Sequence, residues 1–385
     1  MSNSSRADKS GYRSARGHGG RLSGGQKFAF GIVVVLYTAL LICVSYVFLA
    51  RPDAGEQDTY TATDAFGNAY TLTLTPESGQ YNILVLGMDR EAMLTDVIML
   101  VNINDNTHKI NVMQIPRDTY VAGDDKIVCR THKINELYAD YYTSHGQNSS
   151  ESLSFVQGLL EKSLCIKIHE SVLMDLDGFA SIVDTLGGVP IYVPANMSYD
   201  DPEQNLHIRI SAGQQTLSGA QAEDFVRYRE GYVQGDLGRV NAQKLFLSAL
   251  FSRFKEKISL SNVADITGEI VKNLETDMSA GDMVLYARML LSCDIGNMKM
   301  RTLPGYTDAG MSHYVVNREA ALKAVNEDLN TYKEGDVPEA IFDAGRFFND
   351  PSDAMINSIY YGSKVYDGNV YSGDTVGGDL NIPRK

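Results

Sequence analysis

An uninterrupted apolar segment near the N-terminus places the strongest constraint on how this chain can fold. The segment FAFGIVVVLYTALLICVSYVFLA spans residues 28–50 and contains no charged residue. A helix of this length crosses about 30 Å of hydrocarbon. A cleaved signal peptide is the alternative, but the run exceeds the usual apolar region of about 7–15 residues, and Phe48 disrupts the small-residue pattern before Ala50. The sequence therefore predicts one N-terminal transmembrane helix.

Charges on either side of the apolar segment predict its orientation. Residues 1–27 combine several basic groups and a single acid, Asp8, with many Ser and Gly residues, a composition typical of disorder. Asp53, Glu56 and Asp58 follow the segment. Because positive charge stays on the cytoplasmic side, residues 1–27 are predicted to be a cytoplasmic tail. We therefore expect a single-pass protein of the cell membrane whose main domain is extracytoplasmic.

Composition beyond the tail excludes one class of partner and limits cysteine chemistry. The whole chain has a formal net charge of -14, and its basic tail leaves the remainder more acidic still. Nucleic-acid binding, which needs a broad basic face, is not expected.

Cys129, Cys165 and Cys293 lie beyond the apolar segment and allow at most one disulfide between them. Without CxxC spacing, zinc is not expected either, and free core cysteines are the simplest interpretation.

Local patterns divide the remaining chain into three parts. In the linker 51–80, the alternating segment 59–75 predicts a small hairpin around Phe-Gly-Asn. Residues 81–330 mix short apolar strands with amphipathic helices and predict one main domain, with its core in 81–257. Residues 331–385 are rich in Asp, Gly, Asn and Tyr and predict an acidic C-terminal extension. The expected fold is a mixed α/β sandwich, in which helices flank a central mixed β-sheet.

Three predicted strands bring charged residues to one edge of that sheet. YNILVLG ends just before Asp89, and VIMLVNIN and KINVMQI are joined by the turn-forming DNTH. In a hairpin around this turn, residues whose numbers sum to about 213 face each other, so Asp96 lies opposite Arg117. The short connection from Asp89 to Asp96 brings both carboxylates to the same edge.

Two carboxylates at one edge allow two interpretations. They form a magnesium site if phosphate oxygens of a ligand complete the coordination shell, since Mg²⁺ prefers oxygen ligands. Alternatively, Asp89 and Asp96 are turn and cap residues, and Asp96 only pairs with Arg117. Spacing does not distinguish the two.

A second cluster of basic residues follows a predicted helix at 217–225. The next residues, VRYRE, are expected to be extended, which would place Arg227 and Arg229 on one face. Asp236 can cap a further helix, on which Arg239 and Gln243 lie one turn apart. Guanidinium groups bind phosphate bidentately, so several arginines near a metal site favour a pyrophosphate ligand. For the Arg-x-Arg pair alone, a solvated surface is the alternative.

Seven segments resemble, in order, the LytR-CpsA-Psr family of cell-wall polymer ligases. They are NILVLGMD, TDVIMLVNIN, INVMQIPRDTYV, HKINELYA, GFASIVDTLGGVPIYV, LSGAQAEDFVRYRE and DLGRVNAQ. The resemblance implies a membrane-anchored phosphotransferase that moves a glycopolymer, such as teichoic acid or a capsule polysaccharide, from undecaprenyl pyrophosphate to peptidoglycan. Membrane lipid, the carrier-linked polymer and peptidoglycan are its implied partners.

The resemblance also implies roles for individual residues. Magnesium would be held by Asp89 and Asp96, with Asp96 also the preferred general base. The implied pyrophosphate ligands are Arg117, Lys133, Arg227, Arg229, Arg239 and Gln243. In this chain Arg90 directly follows Asp89 and Leu94-Thr95 precede Asp96, whereas relatives usually read Asp-x-Arg and Arg-Ser-Asp there.

Two points stay open at the level of sequence. The apolar pattern in 172–193 suits either a slot for the carrier lipid or ordinary core packing. Hydrolysis of the same pyrophosphate bond, and non-catalytic binding of isoprenoid phosphates in wall regulation, are the alternative functions.

Overall fold

The described part of the chain begins after the predicted membrane segment. The computed structural model describes residues 51–63, 67–89, 92–121, 131–201, 206–228, 236–259, 261–294, 296, 298–307, 313–342 and 371–372. Side chains at 63, 236–241, 306–307 and 371–372 are outside the description. The predicted tail at 1–27 and transmembrane helix at 28–50 also lie outside it. Within the described ranges, no helix combines the length and apolarity needed to cross a membrane.

Strands and helices alternate irregularly along this part of the chain. The strands are β1 (Asp58–Thr63), β2 (Ala69–Leu74), β3 (Gln80–Met88), β4 (Thr95–Asn104), β5 (Lys109–Ile115), β6 (Glu170–Asp175), β7 (Val189–Val193), β8 (Met197–Asp201), β9 (Leu206–Ile210), β10 (Gly213–Leu217), β11 (Glu275–Thr276), β12 (Lys299–Thr302), β13 (Gly305–Thr307), β14 (Tyr314–Val316) and β15 (Tyr371–Ser372). The helices are α1 (Leu137–Ser144), α2 (Ser149–Leu164), α3 (Leu176–Thr185), α4 (Gly219–Arg227), α5 (Asp236–Lys257), α6 (Val263–Val271), α7 (Ala280–Ser292) and α8 (Arg318–Asp328), with a 3₁₀ turn at Ile134–Glu136.

The central sheet is mixed, as predicted. Its strand order is β11-β6-β3-β4-β5-β12-β15. Strand β3 runs antiparallel to β4 and parallel to β6, and β5 runs parallel to β12. The β4–β5 hairpin has the predicted register, with Ile98 opposite Ile115 and Asn104 opposite Lys109.

Helices cover both faces of this sheet, which explains why its central strands are almost continuously apolar. On one face, Leu84 and Leu100 pack in a cluster with residues of α2 and α8. On the other, Val101 and Val112 pack in a cluster with residues of α5 and α7. The predicted α/β arrangement is therefore confirmed for the central sheet.

Two small antiparallel pairs, β7–β10 and β8–β9, form a second apolar cluster with α3, α4 and α5. Helix α3 follows β6 directly, and Asp175 caps it by accepting from the Gly178 N–H at 2.7 Å. Helix α4 begins with a capping box between Ser218 and Gln221. These caps define where α3 and α4 begin. Helix α3, and with it the second cluster, thus starts at the C-terminal ends of β3 and β6.

Segments expected to flank the main domain contribute to its core. The predicted hairpin forms as β1–β2, and its inward residues Ala62 and Leu74 are buried with Tyr332. Past residue 330, Ile341 and Phe342 join the same cluster. These segments therefore complete the apolar layer that α2 and α8 form on that face of the sheet.

Candidate active site at the end of the central sheet

A cavity of about 400 Å³ opens where the central sheet meets the second apolar cluster. Its floor comes from β3 and β4, and its walls come from α3, α5 and the β8–β9 pair. Most of its lining is apolar, including Val85, Met99, Phe179 and Phe246. Charged side chains are confined to a smaller part of the lining. The cavity thus suits a ligand with one charged group and an apolar body.

Asp96 and Arg117 meet at the cavity as the hairpin register predicts. The Arg117 Nη1 donates to the Asp96 Oδ1 at 3.0 Å, and both residues line the cavity. The Arg117 side chain is 24% exposed, which keeps it accessible while excluding much of the surrounding water. A guanidinium in such a position binds an anion more strongly than one in bulk water.

Lys133 lies behind this pair and does not line the cavity. Its Nζ donates to the Asp118 Oδ1 at 2.7 Å, and the other carboxylate oxygen of Asp118 is 3.9 Å from the Arg117 Nε. Asp96, Arg117, Asp118 and Lys133 therefore form a row of alternating charge. The predictions missed Asp118, although its position directly after Arg117 was a signal that it could orient the guanidinium.

Asp89 follows β3 in a tight connection to β4. The Asp89 N–H donates to the Leu94 carbonyl at 2.9 Å, and the Asp89 Oδ1 accepts from the Ala92 N–H at 3.3 Å. Asp89 and Asp96 both line the cavity. The turn role expected for Asp89 therefore occurs, and both carboxylates share the predicted edge, while the magnesium site stays a prediction.

These two carboxylates fit one mode of magnesium binding. In the described part of the chain, no three His, Cys, Asp or Glu side chains are arranged as a metal site. A cage made entirely of protein ligands is thus not built there. Magnesium commonly uses one or two carboxylates and completes its shell with waters and substrate phosphates, and Asp89 with Asp96 matches that donor set.

Arg227 reaches the cavity from a helix rather than from extended chain. Helix α4 continues through Arg227, because the Tyr228 N–H still donates to the Asp224 carbonyl at 3.0 Å. The Arg227 Nη1 donates to the Glu223 Oε1, one turn earlier, at 2.8 Å. The expected extended geometry at Arg227 was therefore wrong. Arg229 lies outside the described residues, so its relation to Arg227 stays a prediction.

Gln243 lines the cavity from α5 and is 7% exposed. Its Oε1 accepts from the Gln114 Nε2 at 2.8 Å, and its Nε2 donates to the Val226 carbonyl at 3.3 Å. It thus joins β5, α4 and α5. The side chain of Arg239, one turn earlier on α5, lies outside the description.

Three further polar residues of the lining were absent from the predicted site. Asp175 ends β6 beside Met88 of the parallel strand β3, a placement that the ends of buried strands could have indicated. Tyr199 and Asp201 enter from β8, with the tyrosine hydroxyl 3.4 Å from the Asp201 Oδ2. Nothing in the local sequence indicated that β8 reaches this cavity.

The 172–193 segment contributes to the core and to the cavity lining, and its use as a slot for the carrier lipid stays a prediction. Met174, Leu176 and Phe179 line the cavity. Val183 and Val189 are fully buried in the second apolar cluster. Some apolar residues of this segment therefore line the cavity, and others pack in the core.

Comparison of the sequence with known protein families identifies the family of this chain. The LytR_cpsA_psr family matches residues 49–331 of this sequence. The chain belongs to this family. The match includes the central sheet apart from β15, the second cluster and every residue of the candidate site.

Relatives of the family agree with this membership. The polyisoprenyl-teichoic acid–peptidoglycan teichoic acid transferase TagU of Oceanobacillus iheyensis is 28% identical over 322 residues, which cover 80% of this chain and 95% of that protein. The crystal structure of B. subtilis TagV has a TM-score of 0.50 at 22% identity, covering 64% of this chain and 94% of that one. A LytR-Csp2A-Psr enzyme from Actinomyces oris has a TM-score of 0.51 at 19% identity, covering 73% and 97%. These structures share the family fold.

Proposed function

We propose that this protein transfers a glycopolymer from undecaprenyl pyrophosphate to peptidoglycan. The observation that carries the proposal is the cavity, where Asp89, Asp96, Arg117 and Arg227 adjoin a mainly apolar wall. A polyprenyl-pyrophosphate carrier has the matching form, because its charged head is joined to a long apolar chain. The name of the TagU relative, a teichoic acid transferase, supports the same class of reaction.

The arginines provide the electrostatic part of the proposed reaction. The guanidinium of Arg117, oriented by Asp96 and Asp118, binds the pyrophosphate at the cavity, and Arg227 binds it from the end of α4. Arg229, Arg239 and Gln243 complete the proposed binding set, and Lys133 acts through Asp118. Positive groups placed where charge develops stabilise the transition state of phosphoryl transfer.

The proposed chemical step replaces the phosphoanhydride bond of the pyrophosphate with a phosphate ester to the acceptor. A hydroxyl oxygen of the acceptor attacks the phosphorus that carries the glycan, and the bond from that phosphorus to the bridging oxygen breaks. Lipid monophosphate then leaves with the negative charge. Asp96, whose Oδ1 accepts from Arg117, is the proposed acceptor of the hydroxyl proton.

Magnesium is proposed to bind at Asp89 and Asp96. When bound there, it would neutralise charge on the pyrophosphate oxygens. The turn at Asp89 orients one carboxylate through the Ala92 N–H, and Arg117 orients the other. These two hydrogen bonds support the proposal that this edge binds a cation and a phosphate together.

Membrane attachment is part of the proposal. The apolar segment 28–50 would anchor the chain in the membrane that contains the carrier lipid, with the tail 1–27 in the cytoplasm. A reporter fused after Lys385 should then be exported. Activity of a reporter that works only in the cytoplasm would contradict both the topology and a role at the cell wall.

The direct test uses the full-length protein in detergent with a polyprenyl-pyrophosphate-linked saccharide, peptidoglycan fragments and Mg²⁺. We expect release of lipid monophosphate together with a new bond between saccharide and peptidoglycan. Release without that bond would favour hydrolysis, and tight binding without turnover would favour a regulatory role; either result would overturn the transferase proposal.

In this assay, Arg117→Ala tests the role of the Arg117 guanidinium. We expect the variant to lose transfer while keeping a native circular dichroism spectrum, because Arg117 lies past the end of β5 rather than in the core. Arg209→Ala is the matched variant, since Arg209 also pairs with an aspartate, Asp200, but is 55% exposed and lies off the cavity. Equal activity of the two variants would refute the assigned role of Arg117.

A further inference from the structure

Four buried polar side chains join α5 to the central sheet beside the cavity. Gln114 of β5 and Thr302 of β12 are neighbours in the parallel strand pair. Gln243 and Lys244 are consecutive residues of α5. The Gln114 Nε2 donates to the Gln243 Oε1 at 2.8 Å, and the Lys244 Nζ donates to the Thr302 Oγ1 at 2.9 Å. Two adjacent hydrogen bonds therefore connect one turn of the helix to two strands.

Lys244 is the unusual member of this group. It is 3% exposed, and burial lowers the pKa of its amine to about 7. Burial of an amine is unfavourable unless other interactions offset it, and an apolar side chain of similar length would avoid that cost. Apolar packing alone therefore does not account for an amine at this position, where it bonds Thr302.

The position of this group indicates what it controls. Three residues after Gln114, the chain reaches Arg117 at the end of β5. Gln243 also donates to the Val226 carbonyl, which directly precedes Arg227. A shift of α5 along the sheet would consequently change the distance between the two arginines that line the cavity.

We propose that Lys244 is a positioning residue for pyrophosphate binding: its bond to Thr302 keeps α5 in register with the end of β5 and so fixes Gln243 and Arg227 relative to Arg117. The inference rests on the proposed function and adds a residue that does not itself line the cavity. The ligand class is a pyrophosphate diester bearing a lipid and a sugar.

The charge on Lys244 makes this role measurable. Strands β4, β5 and β12 and helix α4 lie around it. The charged groups described on or directly after these elements are Asp96 with Arg117, Lys109, Glu223 with Arg227, Asp224, and Lys299 and Arg301 with Glu327 and Asp328 of α8. Arg301 precedes Thr302 on β12 and pairs with α8, on the opposite face of the sheet. A bound pyrophosphate places negative charge next to Gln243 and stabilises the protonated amine. Ligand affinity should therefore increase as the pH falls from 8 to 6.

Calorimetry on the full-length protein in detergent tests this inference. The probe is a short-chain polyprenyl-pyrophosphate-linked sugar, because both of its phosphates are esterified and their charges do not change between pH 6 and pH 8. We expect Lys244→Met to lower the affinity roughly fivefold to tenfold at pH 6 and to flatten the pH dependence. Lys255→Met is the matched control, since Lys255 lies on the same helix but donates to the Cys293 carbonyl; its pH profile should follow the wild type.

Thr302→Val provides a second variant, which removes the hydroxyl that accepts from Lys244 while preserving the shape of a fully buried residue. Thr302→Val should also weaken binding of the probe. If Lys244→Met does not fold, this variant alone tests whether the bond between Lys244 and Thr302 positions the ligand site. Unchanged affinity and pH profile in both variants would overturn the positioning role while leaving the proposed function intact. A wild-type protein that does not bind the probe would overturn both.

Discussion

Glu170 allows a quantitative test of the electrostatics at the start of β6, at the opposite end of the strand from the cavity. It begins β6, where burial, and then the nearby carboxylates of Asp277 and Asp282, raise its pKa from 4.5 to about 7. The Asp277 side chain also shares a hydrogen bond with it, which favours the protonated form. We predict that Glu170→Gln, which imitates the protonated carboxyl, stabilises the protein at pH 8 but not at pH 5.

The sign follows from the direction of the shift. Because the folded protein holds the Glu170 proton more tightly than the unfolded chain, this group's contribution to stability is fully present below about pH 4.5. It is lost as the pH rises through about 7. At full strength the shift corresponds to about 3 kcal/mol. Glu170 is only half-buried, so screening by solvent reduces the expected difference to about 1–2 kcal/mol.

Thermal unfolding of the full-length protein at pH 5 and pH 8 measures this effect. At pH 8, Glu170→Gln should unfold roughly 2–6 °C above the wild type, and at pH 5 the two should nearly coincide. Glu269→Gln is the control, because Glu269 is 60% exposed and pairs with Lys272. A Glu170→Gln variant that gains the same stability at both pH values, or loses stability at pH 8, would refute the reasoning.

Two further predictions concern the proposed ligand site. Replacing Arg227 and Arg229 together with lysine should reduce transfer about tenfold or more, because an ammonium cannot reproduce bidentate contacts with phosphate; full activity would show that charge alone suffices. In calorimetry, affinity for an isoprenyl pyrophosphate should increase with Mg²⁺, and Asp89→Asn combined with Asp96→Asn should remove that dependence. Equal binding by the wild type in excess chelator would mean that the two aspartates are structural.

The contact between Asp96 and Arg117 and the position of β3 could be predicted, because they follow from turn chemistry and apolar patterns within short segments. In an antiparallel hairpin, once the turn is located, every opposing pair follows, and the contact between Asp96 and Arg117 is the result. The apolar run of β3 likewise indicated a strand covered on both faces. Motif order alone was enough to indicate the family.

Other features could not be predicted because they depend on contacts between distant segments. Tyr199 and Asp201 reach the cavity only because β8–β9 packs against α4 and α5. The sequence around Lys244 resembles any amphipathic helix, and its burial follows from the placement of α5 on β12. The end of α4 was misplaced because local propensity in VRYRE does not determine where a helix stops.

The amino-acid sequence by itself determined the β1–β2 hairpin, strands β3 to β5 with their hairpin register, and the family, since these follow from alternation, turn chemistry and residues close together in the chain. Only the tertiary structure decided which charges share the cavity. Arg117 and Arg227 are 110 residues apart, and Gln243 joins their elements through one bond to Gln114 and another to the Val226 carbonyl. These two hydrogen bonds form only after the sheet and helices have packed, because each bond joins residues of different elements that are far apart in the sequence.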